Sequence, residues 1–559
     1  MFLCDADLAC ATGSLSCLPP PDALAIRRVG PAYCVRHGLV PLRSAGAFTP
    51  VGTASGALSP MERERLIEVL GPVHPVKLRR REIERLLVDH AGPPLIRRAE
   101  SRVADPLSCR STSGRSSVWV LLVGMLVFVA VAAIFDSSKT LIGLFVLAAL
   151  LSFLNNGLSV LALSLGIHRS ATLAQIPKLP AEALPVITLL VPLYREERIA
   201  SELLLRLERI DYPRDRLEIR LIVEASDWQT QDMLSGAHLP DWVRTVFVPP
   251  GTIQTKPRAL NLALDFSSGT IVGIYDAEDA PAPDQLQKVA AAFDQCGAHV
   301  ACLQGKLNFY NSRSNWLTRC FAIDYALWFT MIMPTLRRIG WPVPLGGTTV
   351  FFRRAALEAV GAWDAHNVTE DADLGIRLAR KGYVTELIDT TTLEEATVSL
   401  GAWMRQRSRW QKGYTQTLIT HLRYPRDLLN DLGIWGALGM LVLLAGSLLG
   451  AFFGPLLWSL WLIFIAIPHP LTPFLASPGG HWLAVLFGVN LILSWTAMGV
   501  AVTRMDRPDL LSWVPTTMLY FPLMTGSLVK AIYEIFRRPF HWDKTDHGVS
   551  EADALCPPT

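Results

Sequence analysis

Three clusters of side chains in this chain are suited to chemistry on a phosphorylated, hydroxyl-bearing small molecule. Asp276-Ala277-Glu278-Asp279 sets three carboxylates within four positions. Hard divalent cations such as Mg2+ or Mn2+ are held by oxygens of this kind, and a solvated acidic turn has the same composition. Thr369-Glu370-Asp371 opens a segment of helical character. Thr followed by acids makes an ordinary helix N-cap, and a carboxylate so placed can also take a proton from a hydroxyl. Gln406-Arg407-Ser408-Arg409-Trp410 follows one helix and one strand later. On a helix Gln406 and Trp410 share a face with Arg409 beside them. The arginine can clamp a phosphate through two hydrogen bonds, and the indole offers a plane to a sugar ring. The same pairing suits a basic-aromatic helix at a membrane surface.

These clusters need elements to hold them. From Pro185 to about Leu393 short apolar runs alternate with helical patterns: strands at Val186–Leu193, Leu217–Val223, Val243–Val248 and Ile271–Tyr275, with helices at Glu196–Arg209, Asp227–Leu234 and Lys256–Leu264. The pattern predicts an α/β domain with a mostly parallel sheet, whose ligands bind beyond the carboxyl ends of the strands. Asp227 follows the second strand and Asp276 the fourth. Asn315–Arg338 is amphipathic and rich in Trp, Phe, Leu and Met, which suits either the membrane surface or a buried core helix.

Around that domain the chain turns apolar. The 559 residues are 18% charged, with a net charge of +3 that selects no partner and gives no sign of nucleic-acid binding. The mean hydropathy of +0.30 exceeds that of ordinary soluble enzymes. Val118–Phe135 and Leu141–Ile167 predict a transmembrane hairpin at 118–167. Leu432–Phe453, Leu456–Ile467, Trp482–Val502 and Leu510–Ile532 predict about four further spans at 432–532. Arg97, Arg98, Arg102, Arg110 and Arg115 before the hairpin, with His168, Arg169 and Lys178 after it, place both flanks in the cytoplasm. Arg504 and Arg507 fall outside on a four-span count, against that rule. Asp5 and Asp7 stand where a cleavable leader carries Lys or Arg, so none is expected. Nine cysteines without a CxxC pair read as reduced structural thiols.

Residues 1–112 read as a small soluble α+β domain, with strands at Leu39–Leu42 and Phe48–Val51 and helices at Pro60–Leu70 and Arg80–His90. This stretch resembles the N-terminal domain of type II secretion ATPases. That likeness implies a cyclic di-GMP ligand or a protein partner; the residues themselves, without sharp ligand motifs, favour a plain interaction or packing module.

The order Asp227, Asp276-x-Glu278, Thr369-Glu370-Asp371 and Gln406-x-x-Arg409-Trp410, set between apolar segments, resembles the processive family 2 glycosyltransferases, which include cellulose, curdlan and hyaluronan synthases. The resemblance implies a GT-A-type nucleotide-sugar domain at 185–424 between transmembrane helices of a bacterial inner membrane, with a cytosolic tail at 533–559. It implies that Asp227 meets the nucleotide base and that Lys256 and Asn261 hold the nucleotide, with Glu196 also in the substrate set. Asp276 and Glu278, or Asp279, then bind the metal. Asp371 is the base, with Thr369 and Glu370 beside it; Arg409 meets the diphosphate, and Gln406 and Trp410 meet the acceptor sugar. Glu278 departs from the family's usual Asp-x-Asp. The tail His541-Trp542-Asp543-Lys544-Thr545-Asp546-His547-Gly548 looks like a gating segment. The expected activity is polymerisation of a nucleotide-diphosphate sugar, UDP-glucose, into a β-glycan. A single-sugar transferase to a lipid, and a nucleotide-sensing protein built on an inactive domain, are the rivals.

Overall fold

The computed structural model describes residues 18–44, 46–111, 114–165, 179–196, 200–237 and 239–543. Asp5, Asp7, His168, Arg169, Lys178 and the tail from Lys544 onward lie outside the described residues.

The chain begins with α1 (Ala23–Val29), α2 (Pro31–His37), β1 (Leu39–Pro41), β2 (Thr49–Thr53), α3 (Pro60–Leu70), β3 (Val73–Lys77) and α4 (Arg80–Glu100). Helix α3 starts where Ser59 and Glu62 form a reciprocal cap, the Ser59 hydroxyl accepting from Glu62 N and the Glu62 carboxylate from Ser59 N (2.9 Å). Strand β3, Val-His-Pro-Val-Lys, has no alternating apolar pattern and is absent from the sequence reading. It pairs in parallel with β2, which pairs antiparallel with β1. Helix α4 runs ten residues past the expected end at His90, through Pro93 and Pro94. Its apolar face, with Ile96 and Ala99, joins the same core as Val248, Ala259 and Ala263 of the central sheet domain. The amino-terminal domain is thus fused to the larger one by shared burial.

Two apolar helices follow, α5 (Gly114–Phe135) and α6 (Ser137–Ser164), joined at Asp136, whose carboxylate accepts from Lys139 N (2.9 Å). The central domain then contains β4 (Ile187–Leu193), α7 (Ala200–Glu208), β5 (Leu217–Glu224), α8 (Trp228–Ser235), β6 (Val243–Val248), α9 (Lys256–Asp265), β7 (Ile271–Ile274), β8 (Ala280–Pro281), α10 (Gln285–Gln295), β9 (Val300–Phe309), α11 (Trp316–Leu327), α12 (Met333–Ile339), β10 (Val350–Arg353), α13 (Arg354–Ala359), α14 (Glu370–Arg380) and β11 (Val384–Glu394).

The eight strands form one sheet in the order β6-β5-β4-β7-β10-β9-β11-β8. Strands β6, β5, β4 and β7 are parallel, as expected. In the other half β9 and β11 are parallel and point the same way as the first four, while β10 runs antiparallel to both β7 and β9 and β8 antiparallel to β11, so the sheet is mixed but mostly parallel. The periodicity of a strand reports its burial and not its direction, so the sequence could not single out the two reversed strands.

Asn315–Arg338 is a core element. Leu317, Phe321, Ile323, Met331 and Leu336 are buried between the sheet domain and the apolar helices, and a π-helical turn at Trp328–Ile332 separates α11 from α12.

Beyond α15 (Leu400–Leu422) come α16 (Pro425–Trp458), kinked at Gly433 (φ 66°), then α17 (Pro478–Arg504) and α18 (Leu523–Arg537). Among the described residues three helices are long and apolar enough to cross a membrane: Ser137–Ser164, Pro425–Ile463 and Pro478–Arg504. The four spans expected at 432–532 therefore reduce to two. Leu456–Ile467 continues α16 and breaks into a four-residue helix, Trp461–Phe464. Leu510–Ile532 divides into a 3-10 stretch, Pro508–Thr516, a short helix and α18, which packs on α15. Arg507 pairs with Asp509 (2.9 Å), and Asp509 also pairs with Arg313 (3.1 Å), so the loop after α17 lies against the sheet domain.

Candidate active site

The carboxyl ends of β4, β5 and β7 deliver the first side chains. Asp227 caps α8, and its carboxylate accepts from Arg195 N (2.5 Å), Thr230 N (3.3 Å) and the Thr230 hydroxyl (2.7 Å). It thereby ties the β4 loop to the β5 loop beside the exposed Trp228. Glu196 N is satisfied by Thr230 Oγ1 (3.2 Å). Lys256 opens α9 and reaches Asp276 Oδ1 at 2.5 Å. Burial alone would lower the Lys256 ammonium, but the charges of Asp276, Glu370 and Asp371 hold it above its ordinary value.

A cavity of about 920 Å3 gathers Glu196, Lys256, Asp276, Glu278, Thr369, Glu370, Asp371, Gln406, Arg409 and Trp410. Asp227 does not line this cavity; with Trp228 it lines an adjacent recess that shares Tyr194 and Gln254 with it. Two further expected residues are also outside the cavity. Asn261 is fully buried, its amide donating to Ala99 O (2.9 Å) and Trp363 O (2.7 Å) while its oxygen accepts from Trp363 N (3.2 Å). It staples the domains together and has no capacity left for a nucleotide. Asp279 is 1% exposed; one carboxylate oxygen accepts from Asp276 N (2.8 Å) and from the Thr348 hydroxyl. It shapes the turn that presents Asp276 and Glu278 and is not itself presented to the cavity.

Helix α14 brings the acidic triplet. Thr369 occupies the N-cap position, yet its hydroxyl makes no capping bond and donates to Asn367 Oδ1 (3.4 Å). The ordinary cap reading therefore fails on the geometry. Glu370 is 4% exposed, and burial followed by the adjacent charge of Asp371 pushes it up to about 8. Burial also raises Asp371, against the opposing charges of Lys256 and Arg409. Gly347 (φ 83°) passes so near that a β-carbon there would stand 2.8 Å from Asp371 Oδ2. Its left-handed backbone and missing side chain are both required at this point.

Helix α15 supplies the third cluster. A β-carbon on Gly413 would lie 2.1 Å from the Thr369 hydroxyl, so α15 crosses α14 at closest approach where the glycine sits. Trp410 stacks on Tyr325 (6.2 Å between centroids, 24° between planes) and receives Arg407 on its ring (4.5 Å). Arg407 is pinned by Asp324 (2.6 Å) and the Tyr520 hydroxyl (2.7 Å). Trp410 is therefore held rigidly, while Arg409 lies over the Trp542 ring (4.7 Å) and donates to Asp543 O (3.3 Å). Residues 540–542 run along the cavity wall. Gln416 donates to Pro539 O (2.8 Å) and Lys412 to His541 O (2.9 Å), and Phe540, His541 and Trp542 line the cavity.

Sequence reading missed Glu394 at the end of β11. It lines the cavity, and burial together with Asp279, Glu278 and Asp276 pushes its carboxyl up. The signal was present in the doublet Glu394-Glu395, but only the sheet order brings β11 beside the Asp276 turn. Also missed was the floor of the cavity, built from Asn155 and Leu158 of α6, Leu327 and Ile332, and Val442, Leu444, Ser447 and Gly450 of α16.

The donor set suits a hard cation. No group of three or more His, Cys, Asp or Glu side chains among the described residues is arranged to hold a metal unaided. Asp276 and Glu278 offer two carboxylates, the number with which Mg2+ is commonly held when substrate phosphates complete its shell.

Residues 185–413 match the family described as "Glycosyltransferase like family 2". Over those residues the chain is similar to family 2 glycosyltransferases, and it spans little more than half the length of some of the curated relatives it matches. It is 26% identical over 387 residues to the beta-monoglucosyldiacylglycerol synthase of Synechocystis, covering 66% of this chain and 77% of that one. It is 27% identical over 246 residues to the probable glycosyltransferase YdaM of Bacillus subtilis, covering 43% of this chain and 57% of that one. The mannosyltransferase PcManGT of Pyrobaculum calidifontis, solved with GDP-Man and Mn2+, is similar in structure at 19% identity with a TM-score of 0.43, over 67% of this chain and 99% of that one.

Proposed function

We propose that the protein moves a sugar from a nucleoside diphosphate, UDP-glucose, onto the non-reducing end of a growing β-glycan, with inversion. One observation carries this reading: a single cavity joins the acids at the strand ends, Arg409 and Trp410 to a groove between α6 and α16. Donor chemistry and acceptor path are thereby continuous.

In this mechanism Arg409 binds the diphosphate and stabilises the charge it gains on leaving. Trp410, immobilised against Tyr325, supports the terminal acceptor sugar. Asp371 accepts the proton of the acceptor hydroxyl as its oxygen bonds to the anomeric carbon and the bond to the diphosphate breaks. Lys256, paired with Asp276 and in the field of Glu370 and Asp371, keeps positive charge beside the leaving group. A divalent cation at Asp276 and Glu278 neutralises the diphosphate when bound. Helices α5, α6, α16 and α17 would cross a bacterial inner membrane, with the catalytic domain and both termini in the cytosol. A cyclic di-GMP or protein ligand of the amino-terminal domain belongs to the same reading.

A second reading, addition of one sugar to a lipid, is favoured by the apolar floor of Leu158, Leu327, Ile332, Val442 and Leu444, and by the likeness to a beta-monoglucosyldiacylglycerol synthase. The decisive experiment supplies the purified chain in lipid nanodiscs with a panel of UDP-sugars and Mg2+ or Mn2+, then sizes the product and analyses its linkages. A polymer supports the first reading and a single-sugar lipid the second. Absence of turnover with every donor sinks both.

A further inference from the structure

The segment that links the amino-terminal domain to α5 threads between the two loops that carry the reactive groups. At its start Glu100, 7% exposed, grips the loop before α9: one carboxylate oxygen accepts from Thr252 N (2.7 Å) and the other from the Thr252 hydroxyl (2.7 Å). Gly251 fits beneath it only for want of a side chain, since a β-carbon there would stand 2.3 Å from the Glu100 carboxylate. Four residues after Thr252 comes Lys256. The same grip continues along α9, where Arg102 donates to Asn261 O (3.0 Å) and Asp265 (3.0 Å).

At its end the segment grips the other loop. Asp364 is 1% exposed and accepts from the Ser108 hydroxyl (2.9 Å) and from Cys109 N (2.7 Å). Asp364 also accepts from His366 N (3.2 Å), and Asn367 in turn accepts from Thr369 N (3.0 Å). Thus Ser108 and Cys109 are connected through short polar links to the start of α14, where Asp371 lies.

We propose that residues 100–109 of the amino-terminal domain are positioning residues for sugar transfer: Glu100 sets the donor-side loop of Lys256, and Ser108 with Cys109 sets the acceptor-side loop of Asp371. The domain's seating is then read by the active site through two separate grips. Charge-assisted hydrogen bonds of buried carboxylates are short and directional, which suits them to fixing loops to within a fraction of an ångström. Displacement of reacting groups by about 1 Å costs on the order of a hundredfold in rate.

This inference rests on the transfer reading of the site, and the two fail differently. The experiment compares the full chain with Glu100→Ala, Glu100→Gln, Asp364→Ala and Asp364→Asn, measuring KM for the nucleotide sugar, kcat, and hydrogen exchange at 249–256 and 361–369. Glu100→Ala is expected to raise KM about tenfold with kcat within threefold, and Glu100→Gln, which keeps an acceptor, to recover most of the loss. Asp364→Ala is expected to lower kcat about tenfold with KM little changed, and Asp364→Asn to recover part of it. Faster exchange should be confined to the loop whose grip is cut. Equal losses in kcat and KM for both positions, or faster exchange with unchanged kinetics, would overturn the proposal. Should the unaltered chain turn over no donor, the transfer reading falls and the exchange pattern still decides: loosening of both loops by either single variant rejects two separate grips.

Discussion

The cavity has two halves built on opposite principles. In the half at the strand ends, the proposed donor side, several charged groups are already committed: Lys256 to Asp276 (2.5 Å), Glu224 to Arg258 (2.5 Å), and Asp227 to Arg195 N and Thr230. On the acceptor side the walls are apolar or aromatic, and Asn155, whose amide donates to Gly446 O (2.8 Å), is one of few polar groups. The difference teaches how each half selects. Paired charges fix the place of a diphosphate at little reorganisation cost, whereas an apolar groove recognises its occupant by shape and stacking. Asp371 lies at the junction.

The largest effect is expected from breaking that junction. Asp371→Asn should lower kcat by about 10² to 10⁴ while nucleotide binding persists, as judged by titration of nucleotide against product formation. Polymer yield equal to the unaltered chain would remove Asp371 from the role of base.

Filling only the acceptor half separates it from the donor half. Ser447→Phe in α16 should cut transfer about tenfold or more, leaving nucleotide affinity within twofold. A parallel loss of nucleotide affinity would mean that the halves are not independent.

A milder change tests the contact between α14 and α15. Gly413→Ala sets a methyl group against the Thr369 hydroxyl, so α14 must shift, and overpacking of this kind costs about 1–3 kcal/mol. The measured outcome should be a lower unfolding temperature together with a reduced kcat, since the strain falls on the helix bearing Asp371.

The smallest effect concerns the stored charge of the donor half. Folding raises Glu370 to about 8 from its ordinary 4.5, so the folded chain keeps a proton that the unfolded chain releases in that interval. Stability therefore falls as pH rises from about 4.5 towards 8, and Glu370→Gln lacks this loss. The variant's unfolding temperature relative to the unaltered chain should be higher at pH 8 than at pH 5. An equal difference at both pH values would show that Glu370 titrates normally.

Legibility of the site followed distance along the chain. Asp276 and Glu278 were readable because a strand end and a turn place them by local rules, and Glu370 and Asp371 because they begin a helix. Gln406, Arg409 and Trp410 were readable because four-residue spacing defines a helix face. Asn261 was misassigned, since its position in the sequence is right for a ligand while its amide is consumed by Ala99 and Trp363, groups 162 and 102 positions away. Asp279 looked like the equal of Asp276, yet the turn rotates one outward and the other under Thr348.

By itself the sequence determined the elements and the class of chemistry: alternating apolar runs made the strands, long apolar runs the helices, and the carboxylates and the Arg-Trp pair selected phosphate and sugar. Those properties depend on local spacing and on side-chain type. Only the tertiary structure decided the direction of β10, the reduction of four expected spans to two, the entry of Glu394 into the cavity, and the burial of Arg102 against α9 and of Ser108 and Cys109 against the loop before α14. Each of these arises from contacts between residues far apart in the chain, where packing area and hydrogen-bond satisfaction choose among arrangements that local propensity leaves equal.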